Sequence, residues 1–143
     1  MRNAALALGL LMAATTAGRG DPAIVDGAMA TPLADASGEP ARGRAIVVDR
    51  RKGLCLLCHS GPFPEERFQG DLAPSLAGAG ARNTPAQLRA RLADSRQVAP
   101  GSLMPPYFSL VGLTRVAPQQ TGRTILTWQD IEDVVAFLVT LKE

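Results

Sequence analysis

The C-terminal segment carries the clearest periodic pattern of apolar and polar residues in the chain. Thr127 is a typical N-cap residue, and Asp130, three residues later, suits both a capping box and the positive end of a helix dipole. The apolar residues that follow recur at i, i+3, i+4, i+7 and i+10, which marks one face of a helix. They are Ile131, Val134, Val135, Leu138 and Leu141. The pattern predicts a final amphipathic helix, with Glu132 and Asp133 facing solvent.

An earlier helix is predicted from Pro40 to Arg51. Proline fits the first turn of a helix, because its missing N–H would have no helical partner there. The apolar positions of this segment form one stripe, and Arg42, Arg44 and Asp49 lie largely away from it. The predicted stripe consists of Ala41, Ala45 and Val48.

A middle helix is predicted to begin at Thr84 and to continue to about Arg96. The run Thr84-Pro85-Ala86-Gln87 combines a capping box with proline at the first helical position. The arginines of this helix, Arg89 among them, are expected to form a solvated face.

Proline and glycine in residues 61–70 predict a loop, and residues 97–127 are predicted to be irregular. The fold class is therefore all-α, with one domain over residues 40–143.

The first 39 residues differ from the rest. Arg2, the apolar stretch 4–14 and the small residues through Ala17 are typical of a secretory signal peptide at 1–17, which predicts export to the periplasm. The apolar stretch has about half of the roughly 20 residues that span a bilayer, so we expect no membrane anchor. A buried N-terminal helix is the alternative. Residues 18–39 show no firm periodicity and are predicted to be a flexible N-terminal extension or a strap over the surface.

Charge argues against a nucleic-acid partner. The chain has 15 basic and 13 acidic residues, for a net charge of +2, and no dense basic run with interleaved aromatic residues.

Both cysteines and the only histidine lie in the run Cys55-Leu56-Leu57-Cys58-His59. The pattern C-x-x-C-H is typical of covalent attachment of a c-type haem. Each helical residue advances by about 100°, so the two thiols point to the same side and the imidazole falls close to Cys55. Two thiols can then bond the vinyl groups of one porphyrin while His59 reaches its iron. We therefore predict one covalently bound haem c, which would also fill a core with few aromatic residues.

Other interpretations of this motif are weaker. A thioredoxin-like redox pair usually follows a strand in a βαβ pattern, which is absent from the predicted elements. Zinc needs four ligands, and the chain has no further cysteine or histidine. A disulfide across two residues would close a very small loop and stabilise little.

The second axial position of the iron needs another ligand, and Met104 is the candidate. Methionine, histidine, cysteine and tyrosine are the usual choices, but both cysteines and the only histidine are already used. Met1 and Met12 belong to the predicted signal peptide, and Met29 lies in the N-terminal extension. Prolines flank Met104 and stiffen its loop. Alternatively, Met104 only packs against the porphyrin and leaves the iron open to small ligands.

These motifs resemble those of class I cytochromes c from Glu39 to the end of the chain. The resemblance rests on the C-x-x-C-H motif, the run from Leu72 to Arg82, Met104-Pro105 and the apolar C-terminal helix. More closely, the chain is similar to the SoxX family of monohaem cytochromes. The strings that carry this likeness are Cys55-Leu56-Leu57-Cys58-His59-Ser60-Gly61-Pro62-Phe63-Pro64-Glu65 and Ile131-Glu132-Asp133-Val134-Val135-Ala136-Phe137-Leu138.

The resemblance implies roles for individual residues. Pro74 occupies the position whose carbonyl accepts a hydrogen bond from the haem-ligating histidine. Arg82 stands where an arginine commonly approaches a haem propionate, although an ordinary solvated arginine is an equal alternative. Gly43 and Phe137 resemble the pair at which the first and last helices cross. Trp128 and Tyr107 could reach the haem propionates or the haem edge, but neither is predicted as a specific contact.

The resemblance also implies a function. A SoxX-like chain carries electrons in a heterodimeric L-cysteine S-thiosulfotransferase of thiosulfate oxidation, with a dihaem or monohaem SoxA-like cytochrome as partner and a soluble cytochrome c as acceptor. No catalytic residue is expected in this chain, and no activity from it alone. A free periplasmic electron shuttle to an oxidase and a haem-based ligand sensor are the alternatives. Candidate partner surfaces are the 61–70 loop, with Phe63 and Phe68, and residues 107–116.

Overall fold

The computed structural model describes residues 23–143, so the predicted signal peptide lies outside the described residues. In this part of the chain, long irregular segments connect α1 (Pro40–Val48), α2 (Ala79–Arg82), α3 (Pro85–Val98) and α4 (Trp128–Leu138). Two 3₁₀ turns, Cys55–Leu57 and Pro118–Gln120, lie between them. The described residues contain isolated β-bridges but no strand, so they form an all-α fold. None of their helices is both long and apolar enough to cross a membrane.

Helix α4 begins and packs as predicted, except for its two acidic residues. Thr127 and Asp130 form the predicted capping box. The predicted stripe faces the core, and Ile131 is fully buried. The prediction that Glu132 and Asp133 face solvent is wrong, because both side chains are buried and ion-paired with arginines from other elements. Paired charges can be buried where single charges cannot, so the polar pattern of one helix does not settle which side faces water.

Helix α1 crosses α4 at Gly43, and its buried face differs from the predicted one. The predicted stripe residues Ala41 and Ala45 are exposed. A Cβ atom at position 43 would overlap the backbone carbonyl of Asp133 and lie 2.8 Å from the Cβ of Phe137. This close approach requires glycine and fixes how α1 is rotated. The buried residues of α1 are Gly43, Ile46 and Val47.

Helix α1 begins at Pro40 as predicted but is three residues shorter, because a side chain competes for the backbone groups at its C-terminal end. At the start, the Glu39 carboxylate accepts hydrogen bonds from two backbone N–H groups of the first turn. At the end, the Asp49 carboxylate accepts from the N–H of Arg51 at 2.7 Å and of Lys52 at 3.2 Å. These bonds offer the backbone an alternative to another helical turn, and the helix ends at Val48.

Residues 23–39 lie as a strap against α3 and α4. Met29 and Leu33 are buried in the core. The guanidinium of Arg89 donates to the Met29 carbonyl at 2.8 Å, and the Leu33 N–H donates to Glu132 at 2.7 Å. The prediction that Arg89 forms part of a solvated face is wrong, since only 6% of it is exposed. The strap is thus joined to both helices through one buried ion pair.

Helix α3 has the predicted capping box between Thr84 and Gln87, but it is not continuous. Asp94 has extended backbone angles (φ −153°, ψ 92°), which interrupt the helix before its last turn. The Asp94 carboxylate accepts hydrogen bonds from the Arg96 guanidinium at 2.8 Å and from the Arg96 N–H at 3.2 Å. The side chain therefore caps a new turn that continues to Val98.

Helix α2 is a single turn that the sequence patterns do not predict. It follows Gly78, whose positive φ of 69° favours glycine. The N–H of Gly80 donates to the Leu141 carbonyl at 2.8 Å, and the N–H of Gly78 donates to the Glu143 carbonyl at 2.6 Å. The C-terminus of the chain is thus packed against the segment that precedes α3.

Candidate haem site

The two thiols lie in one tight turn. Leu54 has a positive φ of 60°, and the 3₁₀ turn Cys55–Leu57 begins directly after it. The N–H groups of Cys58 and His59 both donate to the Cys55 carbonyl, at 3.1 and 2.9 Å. In a 3₁₀ turn the side chains at i and i+3 are eclipsed, so this geometry brings Cys55 and Cys58 to the same side. No disulfide joins them.

The Cys55 thiol is held in an apolar, hydrogen-bonded position. Its Sγ donates to the Gly53 carbonyl at 3.2 Å. Burial raises the pKa of Cys55 to about 11, so the thiol is protonated at neutral pH. A protonated thiol is a poor nucleophile, which argues against a reactive thiolate at Cys55.

The imidazole of His59 is oriented by the backbone of a neighbouring segment. Its Nδ1 lies 2.6 Å from the carbonyl oxygen of Pro74, and His59 also forms a parallel bridge with Ala73. A carbonyl only accepts hydrogen bonds, so Nδ1 carries the proton and Nε2 is left as the basic nitrogen. This tautomer suits a metal ligand, because the partner of the first nitrogen fixes the ring and leaves the second for the metal.

The loop that carries Met104 is hydrogen-bonded to α3 at its kink. The kink frees the carbonyls of Leu92 and Ala93, which accept hydrogen bonds from the N–H groups of residues 107, 108 and 109 at 3.1–3.2 Å. The Ser95 hydroxyl donates to the Met104 carbonyl at 2.6 Å. Met104 itself is half-buried against the core. Sequence reasoning missed Asp94 and Ser95, since polar residues inside a predicted helix give no signal of a kink.

Two aromatic residues, Tyr107 and Phe108, follow Met104 after two prolines. Tyr107 is 3% exposed, and its hydroxyl donates to the Gly53 carbonyl at 2.6 Å. Burial raises the pKa of Tyr107, so this hydroxyl remains a neutral donor. The ring of Phe108 lies 3.4 Å, centroid to centroid, from the ring of Trp128. Tyr107 and Trp128, for which the sequence predicted no specific contact, therefore help to hold the Met104 loop.

Arg82 braces the loop that contains Pro74. Its guanidinium donates to the carbonyl of Ala77 at 2.7 Å and to that of Ser75 at 2.8 Å. These bonds use two of the five N–H donors of an arginine. The side chain thus stabilises the segment whose carbonyl orients His59, while its other donors remain for a further acceptor.

The two candidate partner surfaces contain both buried and exposed apolar residues. Phe63 is 1% exposed and its ring lies 6.0 Å from that of Phe137, so it belongs to the core. Phe68, by contrast, is 82% exposed. Leu57 and Leu72, on either side of the 61–70 loop, are also exposed, as are Leu103 and Val111 on either side of Met104.

Comparisons with known proteins identify the family. The cytochrome c family model matches residues 40–142, well over half of the chain. This chain belongs to the cytochrome c family. The crystal structure of SoxXA from P. pantotrophus is similar to it, with 40% sequence identity, a TM-score of 0.78, and coverage of 85% of this chain and 94% of that chain. No curated protein matches the chain significantly.

These findings confirm the all-α, class I cytochrome c fold, and they support assignment of the chain to the SoxX type. Cytochromes c bind haem c covalently, and the residues described above fit that group. The two unpaired thiols share one side of a tight turn, and the adjacent histidine presents Nε2 as its basic nitrogen. The chain is therefore an electron-carrying, SoxX-like haem c protein of sulfur oxidation.

Proposed function

We propose that this chain is a periplasmic monohaem cytochrome c that serves as the electron-carrying subunit of a SoxAX-type L-cysteine S-thiosulfotransferase. The observation that carries the proposal is the turn in which two free thiols directly precede a histidine whose Nδ1 is bound to a carbonyl. Cys55 and Cys58 would hold one haem through thioether bonds, because the chain contains no third cysteine. His59 would be one axial ligand of the iron.

Met104 would be the other axial ligand. Its thioether is a soft donor on a loop held by hydrogen bonds to α3. When bound, the haem supplies a one-electron redox centre, and histidine with methionine raises its reduction potential. The chain's own residues keep both ligands in place, so they favour a carrier of electrons over a site at which substrate bonds are broken. Pro74 would hold the tautomer of His59, and Arg82 would direct its remaining donors toward a propionate.

A SoxA-like subunit, dihaem or monohaem, would be the partner. The similar solved structure is that of SoxXA, which supports a heterodimer. We expect the transfer of thiosulfate to a carrier cysteine to occur on the partner, and the released electrons to pass through this chain to a soluble cytochrome c. The N-terminal residues 1–17 support export to the periplasm. The isolated, haem-loaded chain should then show no sulfur transfer.

The axial ligands are tested by carbon monoxide binding to the reduced protein. The full chain is produced in a bacterium that exports and matures c-type cytochromes, and covalent haem is measured per chain. One haem per chain and slow binding of carbon monoxide are expected, whereas Met104→Ala should bind it rapidly. Met29→Leu is the matched control, because Met29 is a buried methionine whose backbone is hydrogen-bonded to Ala86 and Arg89 in the first turns of α3. Rapid binding by the unaltered protein would refute the carrier and favour the ligand sensor.

The partner is tested by co-production with the SoxA-like subunit of the same organism. Size-exclusion chromatography should give one coloured species of heterodimer size, and sulfur transfer should require both subunits. A chain that elutes only as a monomer, yet passes electrons to an oxidase, would instead support the free electron shuttle.

A further inference from the structure

Tyr107 connects the two segments that carry the proposed iron ligands. It stands three residues after Met104, and its hydroxyl reaches the carbonyl of Gly53, two residues before Cys55, at 2.6 Å. The side chain is buried, with 3% of the residue exposed. A single side chain therefore bridges the Met104 loop and the haem-attachment turn.

The bridge becomes more important once haem is attached. In the free chain, the Gly53 carbonyl accepts hydrogen bonds from Tyr107 and from the Cys55 thiol, the latter at 3.2 Å. A thioether has no S–H group, so haem attachment removes the second donor. Gly53 is buried against the backbone of Ile46, where water cannot easily replace a lost donor. In the loaded protein, Tyr107 is then the remaining donor to this carbonyl among the described residues.

The backbone of Tyr107 is fixed as well. Its N–H donates to the Leu92 carbonyl in α3 at 3.1 Å, and its carbonyl accepts from the N–H of Leu126 at 3.0 Å. These two bonds hold Tyr107 from both sides, so its hydroxyl is aimed at Gly53 by α3 and by the segment before α4. Motion that carries Tyr107 together with the Met104 loop away from the attachment turn breaks the hydroxyl bond.

We propose that Tyr107 is a positioning residue that couples the Met104 loop to the haem-attachment turn and thereby keeps the thioether on the iron. This inference rests on the proposed ligand set. Loss of the hydroxyl should leave the fold and the ligands unchanged but make opening of the loop easier. Because carbon monoxide binds only when the thioether leaves the iron, its rate of binding reports the population of the open loop.

The test uses the full, haem-loaded Tyr107→Phe variant. Loss of one buried donor should increase the rate of carbon monoxide binding to the reduced protein about tenfold. Thr84→Ala is the control, because it removes a hydroxyl that caps α3 far from the Met104 loop. It should lower thermal stability without changing the rate. Replacing Tyr107 by 4-aminophenylalanine, which keeps an N–H donor, should restore slow binding.

An unchanged rate in Tyr107→Phe, or an equal increase in Thr84→Ala, would overturn the proposal. Fast binding by the unaltered protein would instead refute Met104 as a ligand, so the two failures are distinguishable. If Tyr107→Phe does not accumulate with haem, native-state hydrogen exchange of the unaltered protein provides the test. The amides of Gly53 and Tyr107 should then exchange with one common free energy of opening, and clearly different values would contradict the coupling.

Discussion

Breaking the buried ion pair between Arg89 and Glu132 should strongly destabilise the protein. The Glu132 carboxylate accepts hydrogen bonds from the Leu33 N–H at 2.7 Å and from two nitrogens of Arg89 at 2.7 and 2.9 Å. The two side chains are only 7% and 8% exposed. Glu132→Gln preserves the shape but leaves the Arg89 charge without a counter-charge, and the amide N–H₂ group can face a guanidinium N–H.

Removing one partner of a buried pair costs about 3–5 kcal/mol, because the remaining charge stays buried. This cost is large beside a total stability of about 5–15 kcal/mol. We therefore expect Glu132→Gln to lower the free energy of unfolding by about 3–5 kcal/mol. Urea unfolding of the haem-loaded protein at neutral pH, followed by far-UV circular dichroism, measures the change.

Two further variants separate charge burial from the loss of a hydrogen bond. Glu65→Gln also removes a carboxylate paired with an arginine, Arg44, but both side chains are about half exposed, so a loss of at most about 1 kcal/mol is expected. Adding Arg89→Met to Glu132→Gln should recover part of the loss, since no unpaired cation remains. Equal effects of Glu132→Gln and Glu65→Gln would refute the reasoning.

Three further predictions concern the helix crossing, the kink and the axial ligand. Gly43→Ala should destabilise the haem-loaded protein by about 1–3 kcal/mol in the same urea assay, because its Cβ would meet the α4 backbone, whereas Ala45→Ser on the exposed side of α1 should have little effect. The Arg96 guanidinium lowers the pKa of Asp94 to about 2, so the ionised carboxylate stabilises the folded protein fully above about pH 4, and this stabilisation disappears as the pH falls toward 2. As the pH falls over that range, the unaltered protein should therefore lose about 1–2 kcal/mol more of its free energy of unfolding than Asp94→Asn loses. An identical pH dependence of stability in the two proteins would contradict the assignment. Met104→Ala should lower the midpoint potential in redox titration as well as open the iron to carbon monoxide, and an unchanged potential would argue against ligation.

Local patterns in the sequence were sufficient for several features of the molecule. The capping boxes at Thr84 and Thr127 are formed because side chain and backbone within one turn satisfy each other, with no help from the rest of the fold. The haem-attachment motif is equally local, since its spacing alone brings two thiols to one side of a turn. The apolar stripe of α4 was sufficient to predict the apolar residues that this helix packs into the core.

Other features depend on contacts between distant parts of the chain. The rotation of α1 is set by the approach of Gly43 to the α4 backbone, a contact that the apolar pattern of α1 alone does not reveal. Arg89 and Glu132 are polar in any local reading, and their burial follows only because α3, α4 and the strap bring them together.

The sequence by itself determined where α1, α3 and α4 begin, which residues are the candidates for haem attachment, and that the fold is helical, because these depend on spacing within a few residues. The tertiary structure decided which charged residues are buried, where α3 breaks, and how the Met104 loop is held. Those outcomes require a partner from elsewhere in the chain: a carboxylate for Arg89, or the Gly53 carbonyl for Tyr107. A buried polar group is stable only when such a partner is present, and only the folded chain brings the two together.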